Sequence, residues 1–307
     1  MARYALLRLL GAVPTLFLVI ALAFLMMRAA PGGPFDDERV LPPDIEANIA
    51  RAYHLDEPLP KQFLRYLRGL AGGDFGPSYR YRDHTVAELI GEAWPLSLRL
   101  GLAAIGIAVA IGVAVGSLAA LRRNSPADRL LMAAAMTGIS VPVFVVAPLL
   151  VLLFAVWLDW LPAGWSGNPG PGRYVLPVIA LALPQIAYIA RLTRASMIDV
   201  LGSGFIRTAR AQGLGTFAIV RHHALKPALL PVLSYLGPAI AAVLTGSVVV
   251  EEIFGIPGLG HFFVRGALNR DYTLVLGIVI FYATLVILLN LVVDVLYAVI
   301  DTRVRHR

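Results

Sequence analysis

Apolar residues gather into six long runs separated by polar stretches: Leu9–Met27, Leu96–Leu121, Leu130–Leu158, Val175–Ile189, Leu229–Val250 and Leu274–Val299. A helix needs about twenty apolar residues to cross about 30 Å of hydrocarbon. Each run meets or approaches that length, so the pattern predicts six transmembrane helices. The fourth run is short and holds Pro177 and Pro184, and the third holds Pro142 and Pro148. Proline in a spanning helix frees a backbone carbonyl that neighbours must satisfy. These runs are therefore expected inside a bundle, with bends at the prolines. The fold class is an all-α membrane protein.

The polar stretch after the first run, residues 29–95, also carries helical patterns. Pro43 and Asp44 suit the first turn of a helix, with Ile45, Ile49 and Ala52 on one face. Pro58 opens a second helix with an apolar stripe of Phe63, Leu64, Leu67 and Leu70, and Gly72-Gly73 stops it. Thr85 and Glu88 have capping-box spacing and start an amphipathic helix leading into the second span. A lid packed on the bundle and a docking surface for an extracytoplasmic partner share this pattern.

Charge orients the spans. Arginines accumulate in short cytoplasmic loops. Arg3, Arg8, Arg122, Arg123, Arg129, Arg303, Arg305 and Arg307 fall on one side, and the short loops opposite hold only Arg173, Arg265 and Arg270. Both termini are therefore expected in the cytoplasm and residues 29–95 outside. Leu9–Met27 is longer than the apolar core of a secretory signal and reads as a retained helix. The chain is 58% hydrophobic, with a mean hydropathy of +0.76, above the 45–50% usual in soluble domains. The net charge of +7 then reflects cytoplasmic loops, not nucleic-acid binding. Cysteine is absent, which excludes disulfides, thiolate metal sites and cysteine nucleophiles.

Six further basic residues, almost without acids among them, lie in residues 190–228. Arg191, Arg194, Arg207, Arg210, Arg221 and Lys226 face a single acid, Asp199. Ser203 is placed to cap a short helix from Phe205 to Gln212, and Gly213 to end it. Phe205, Ala209 and Gln212 share one face, with Arg207, Thr208 and Arg210 over the rest. Such a helix either inserts into a groove on a soluble partner or rests on anionic headgroups of the lipid.

Catalytic chemistry is not evident. The only lysines, Lys61 and Lys226, precede Gln62 and Pro227, so no phosphate loop of the G-x-x-x-x-G-K-[ST] type exists. No H-E-x-x-H zinc helix occurs. Gly202-Ser203-Gly204 reads as a helix break. Adjacent residues on a helix point about 100° apart, which makes His222-His223 a poor chelate. No metal or cofactor is expected on this chain. Within the spans the polar candidates are Gln185, Thr245, Ser247, Asn290 and Asp294, for a pathway or for hydrogen bonds inside the bundle.

Several motifs carry a family resemblance. Arg207-Thr208-Ala209, Gly213 and His223-Ala224-Leu225 resemble the E-A-A…G…I-x-L-P signature of binding-protein-dependent ABC importer permeases. Arg207 and Thr208 replace its acid and first alanine, and His223 and Lys226 its isoleucine and proline. The form F-I-R-T-A-R-A-Q-G-L is similar to the peptide branch of that family. So are Glu251–Gly260, Asn269-Arg270-Asp271-Tyr272, Asn290–Tyr297, Arg28–Gly32 and Gly73–Ser78.

The resemblance implies a type I ABC importer permease bundle and a place in the bacterial inner membrane. Its expected partners are a second permease subunit, two cytoplasmic ATPases and an extracytoplasmic peptide-binding protein. Phe205, Arg207, Thr208, Ala209, Arg210, Gly213, His223 and Leu225 would couple to an ATPase. Oligopeptide is the expected cargo, with dipeptides or nickel chelates as alternatives within the family. The organisation implied is a first span at 1–28, an outer helical segment at 29–95, a five-helix core at 96–300 with the coupling loop at 190–228, and a tail at 301–307. An ion-coupled secondary transporter would be expected to show internal repeats with paired broken helices, and no repeat is visible. An intramembrane protease would need paired catalytic groups at membrane depth, and none is evident.

Overall fold

The computed structural model describes residues 2–29, 54, 56–81, 83–165 and 170–300, with side chains omitted at 2–9 and 293–300. The helix expected around Ile45 to Ala52 lies outside these residues. Among the described residues the chain is helical apart from turns and one isolated bridge between Pro77 and Thr85. Among the described residues five helices are long and apolar enough to cross a membrane, and a bent pair makes a sixth if it is counted as one span. The chain divides into two compact units, residues 6–97 with 257–287 and residues 98–256 with the termini.

In the smaller unit, helix α1 (Ala2–Ala29) carries the first span. Helix α2 (Leu59–Ala71) begins after Pro58. Helix α3 (Val86–Leu121) opens on the capping box, in which Thr85 Oγ1 accepts from the Glu88 amide at 3.2 Å and Glu88 Oε2 accepts from the Thr85 amide at 2.8 Å. The expected amphipathic helix and second span are thus one helix of 36 residues, about 54 Å at 1.5 Å per residue. That exceeds the hydrocarbon thickness.

The rest of α3, from Leu98, belongs with helices α4 to α10 to the larger unit, and these helices are given below. Helix α11 (Leu259–Leu268) and the first turns of α12 (Tyr272–Ile300) complete the smaller unit. Ser97 Oγ accepts from the Leu259 amide at 2.9 Å, so α3 supplies a cap to α11. Ile20, Phe24, Leu276 and Ile280 form a core covered by Phe63, Tyr66, Leu67 and Leu70 of α2. Tyr66 takes the place expected of Leu64, which is 48% exposed. A tyrosine buries its ring as well as leucine does, and the stripe of α2 is rotated to admit it.

Two of the sequence motifs meet in this unit. Asp271 is fully buried. Its carboxylate accepts from Ser78 Oγ at 2.5 Å, from the Tyr79 and Arg80 amides, from Thr273 Oγ1 and from the Leu274 amide. Thr273 Oγ1 also donates to the Pro77 carbonyl at 2.7 Å. A buried carboxylate is tolerated when its lone pairs are filled, and this one ties Gly73–Ser78 to Asn269–Tyr272. Burial, then the Asp271 charge, pushes the Tyr81 phenol above its ordinary pKa.

The larger unit is built on α6 (Val175–Leu201), the most buried of the candidate spans. Helix α4 (Pro126–Ser140) and α5 (Val143–Leu150, prolonged by a π-turn to Trp157) flank it, with α10 (Leu230–Phe254). Close approach needs small residues. A Cβ on Gly138 would stand 2.5 Å from the Leu183 carbonyl, and one on Gly116 would strike the Ala190 carbonyl.

The proline bend expected in the third run is a full break, with α4 and α5 meeting at 102°. Pro142 cannot donate to the helix and pushes its predecessor into extended backbone, and Val141 sits at φ −106°, ψ 123°. Pro148 and Pro184, by contrast, lie inside helices.

Candidate functional site

Helix α6 continues through Arg191 and Arg194 to Leu201, so the basic segment begins on a helix and not in a loop. Arg194 forms a two-point ion pair with Asp128 of α4, Nε to Oδ1 and Nη2 to Oδ2 both at 2.7 Å. Asp128 is almost wholly buried and also accepts from the Asn124 amide at 2.9 Å. Ser125 caps α4 by accepting from the Asp128 amide. The pair fixes the end of α6 to the start of α4. Arg191 lies over the Tyr188 ring at 5.2 Å.

The Gly202-Ser203-Gly204 break then turns the chain into helix α7 (Gly204–Ala211). Ser203 occupies the cap position, but its hydroxyl donates back to the Val200 carbonyl at 2.6 Å and caps nothing ahead. Gly213 ends α7 in the left-handed region at φ +85°. The Gly213 amide donates to the Arg210 carbonyl at 2.9 Å and the Leu214 amide to the Ala209 carbonyl at 3.2 Å. That pair of bonds is a Schellman motif, which needs a left-handed residue at the glycine position.

Helix α8 (Thr216–Ile219), a π-turn (Val220–Ala224) and α9 (Leu225–Ala228) follow. The π-turn has a consequence for side-chain direction. Ile219, Ala224 and Ala228 are buried, a spacing of five and then four. A regular α-helix would bury His223 after Ile219, and the wider turn sends His223 to the surface instead.

One face of this assembly is an apolar seat. Ile206 and Ala209 of α7 pack with Met197 of α6, Ala120 of α3, Ile219, Ala224 and Ala228. Ile206 is the anchor, at 0% exposure, whereas Phe205 is 51% exposed. Phe205 and Ala209, expected on one face of the helix, therefore differ in burial, and Ile206 joins Ala209 in the seat. Phe205 and its neighbour Ile206 point about 100° apart, and the smaller of these two fills the seat.

The other face is open in the isolated chain. Phe205, Leu214 and Phe217 project from it, Phe217 at 77% exposure. Arg207, Thr208, Arg210, Gln212, Arg221, His222, His223 and Lys226 are exposed around them, and Leu225 is half-buried. Leu214 and Phe217 were missed in the sequence, and so was Ile206. Apolar residues beside arginines do reveal an amphipathic element, but not which of them point inward. His222 Nδ1 lies 3.2 Å from the Ala218 carbonyl. Among the described residues no group of three potential metal ligands occurs.

The polar candidates of the spans separate by environment. Gln185 is buried and accepts from the Tyr235 hydroxyl of α10 at 2.9 Å. Ser247 is buried and donates to Leu244 of its own helix. Thr245 is exposed on α10 and donates to Ala241. Asn290 is half-buried on α12, and the Asp294 side chain lies outside the described residues.

The architecture has counterparts. A methionine ABC transporter solved in inward-facing conformations matches with a TM-score of 0.56 and 18% identity, over 69% of this chain and 96% of that one. An amino acid ABC transporter matches at 0.52 and 21%, over 70% and 94%. The oligopeptide transport system permease proteins of Salmonella typhimurium and Haemophilus influenzae are 55% and 53% identical over the full length of both chains. A dipeptide transport system permease protein of Bacillus subtilis is 42% identical over 99% of this chain and 98% of its own. Residues 112–306 match the family "Binding-protein-dependent transport system inner membrane component", and residues 1–100 match its N-terminal companion. With the spans, the helical architecture and these full-length relatives in agreement, the chain belongs to that family and is a multi-pass permease subunit of an ABC importer.

Proposed function

We propose that this chain carries oligopeptides inward as half of a translocation pathway, and that separate ATPase subunits drive it through the face formed by α7 to α9. The observation that carries this reading is the two-sidedness of the segment from α7 to α9. Ile206 and Ala209 lock it to the ends of the spans, while Phe205, Leu214 and Phe217 stand open among cations. Apolar knobs ringed by charge suit a groove on a soluble protein. The full-length relatives at 53–55% identity bear the oligopeptide name, and the dipeptide name belongs to one at 42%, which supports oligopeptide cargo. The ion-coupled alternative is set aside.

In this reading the basic segment and both termini face the cytoplasm, and an extracytoplasmic binding protein delivers peptide to the other side. A second permease subunit completes the pathway. ATP closes the ATPase dimer and displaces α7. Ile206 passes the displacement to Met197 on α6, the Arg194–Asp128 pair carries α4 along, and the Gln185–Tyr235 bond engages α10. The pathway opens outward, takes peptide, and reopens inward after hydrolysis. Thr245 and Asn290 are the polar residues assigned to the pathway, while Gln185 and Ser247 hold the bundle. The chain does no bond chemistry and needs no cofactor of its own.

The test is reconstitution into liposomes with both permease subunits, the ATPases and the binding protein. Labelled oligopeptide should accumulate with ATP and fail to accumulate when the ATPases are omitted. Uptake sustained by an ion gradient without nucleotide would overturn the reading.

A further inference from the structure

A cavity of about 270 Å³ lies within the smaller unit, between the last turn of α1, the first turn of α12 and the crossing helix α2. Its walls are graded. On α1, Phe24 precedes Arg28 by one helical turn, and on α12, Tyr272 precedes Leu276 by one turn. One turn is about 5.4 Å. These helices enter the membrane from this end, so apolar Phe24 and Leu276 line the side toward the hydrocarbon. Arg28 and Tyr272 line the side toward water.

One residue of the wall carries a donor without a partner among the described residues. Tyr66 lines the cavity from α2, and its hydroxyl is buried with no hydrogen-bond partner among the described residues. Buried polar atoms are seldom left so. Burial, then nearby Asp74, pushes this phenol well above its ordinary pKa, which keeps it a donor. Arg28 lies over the Phe24 ring at 5.5 Å, and Phe24 stacks on Tyr66 with centroids 6.3 Å apart. Stacking leaves a guanidinium edge available for a two-point bond to phosphate. Arg65 is already joined to Glu57 at 2.6 Å, and Asp74 accepts from the Gly76 amide at 2.8 Å. Among the described lining residues Arg28 is therefore the cation left to recognise an anion, with the Asp74 carboxylate the like charge it must outweigh.

An apolar floor at the start of the hydrocarbon, beneath a cation and a phenol donor at headgroup level, matches the polarity gradient of a phospholipid at its glycerol. A guanidinium binds phosphate oxygens in pairs. We propose that this cavity binds one anionic phospholipid, its phosphate between Arg28 and Tyr66 and the first acyl carbons on Phe24 and Leu276. The site needs only that α1 and α12 span a membrane, and it stands apart from the ATPase coupling proposed above.

The test is native mass spectrometry of the full-length chain in mild detergent, with phosphatidylglycerol and phosphatidylcholine as probes. Wild type should retain one phosphatidylglycerol in preference to phosphatidylcholine. Tyr66→Phe and Arg28→Gln should each lower that retention roughly tenfold, the loss expected of one charged hydrogen bond, and Arg28→Lys should restore part of it. Tyr66→Phe removes only an oxygen that bonds nothing among the described residues, so its folding should match wild type. Equal retention of the two lipids by wild type would overturn the proposal. So would unchanged retention in Tyr66→Phe, or displacement of the bound molecule by a soluble peptide carboxylate.

Discussion

Replacing Gly213 tests whether the turn after α7 transmits force. The glycine sits at φ +85°, and no atom lies within 4 Å of where a Cβ would be. The penalty for a side chain is therefore conformational and not steric. An L-residue held in the left-handed region loses about 1–2 kcal/mol, and β-branching adds to it. At 1.4 kcal/mol per factor of ten, Gly213→Val should depopulate the Schellman turn roughly 5- to 30-fold. The bonds at risk are Gly213 to Arg210 and Leu214 to Ala209. The seat of Ile206 and Ala209 is untouched, so membrane insertion should be normal. In proteoliposomes, peptide uptake per ATP hydrolysed should fall by a similar factor. Gly213→Asn should retain most of the coupling, because asparagine tolerates the left-handed region. Normal coupling in Gly213→Val would refute the reasoning. Equal damage from asparagine and valine would also refute it, by showing that size and not backbone angle matters there.

Three other substitutions probe the scaffold. Asp128→Asn and Arg194→Gln should each lower the Tm of the purified protein, and the double variant should be no worse than the worse single one, because the first change already removes the shared bonds. Asp271→Asn should destabilise the smaller unit by about 1–3 kcal/mol, read as faster limited proteolysis between Tyr79 and His84 with little change in the larger unit. Tyr235→Phe should cost about 0.6–1 kcal/mol by removing the bond to Gln185, measured by denaturant unfolding in detergent.

The spans were legible because membrane burial imposes long apolar runs that few other structures need. Local backbone chemistry was legible too: Thr85 and Glu88 cap α3, Gly213 ends α7, and Gly202–Gly204 breaks the helix before it. What escaped were choices between neighbours and contacts across distance. Ile206 and Phe205 are both apolar, and only the packing of Met197 and Ile219 selects one. The π-turn that turns His223 outward leaves no periodic trace, because it changes the period itself. A proline pair in an apolar run signals a bend, but the 102° at Pro142 depends on neighbouring helices. Asp128 and Arg194 stand 66 residues apart, and Ser78 and Asp271 are separated by 193. Such bonds are invisible to local pattern even when each half lies in a recognisable motif.

The central claim is that the open face of α7 to α9 grips an ATPase from the cytoplasmic side. The chain contains no cysteine, so Phe217→Cys supplies a unique thiol on that face. A membrane-impermeant maleimide carrying a photocrosslinker should label it in inside-out vesicles and not in spheroplasts, and illumination should capture the ATPase subunit. Labelling from the outside, or capture of no ATPase from an assembled transporter, would contradict the account.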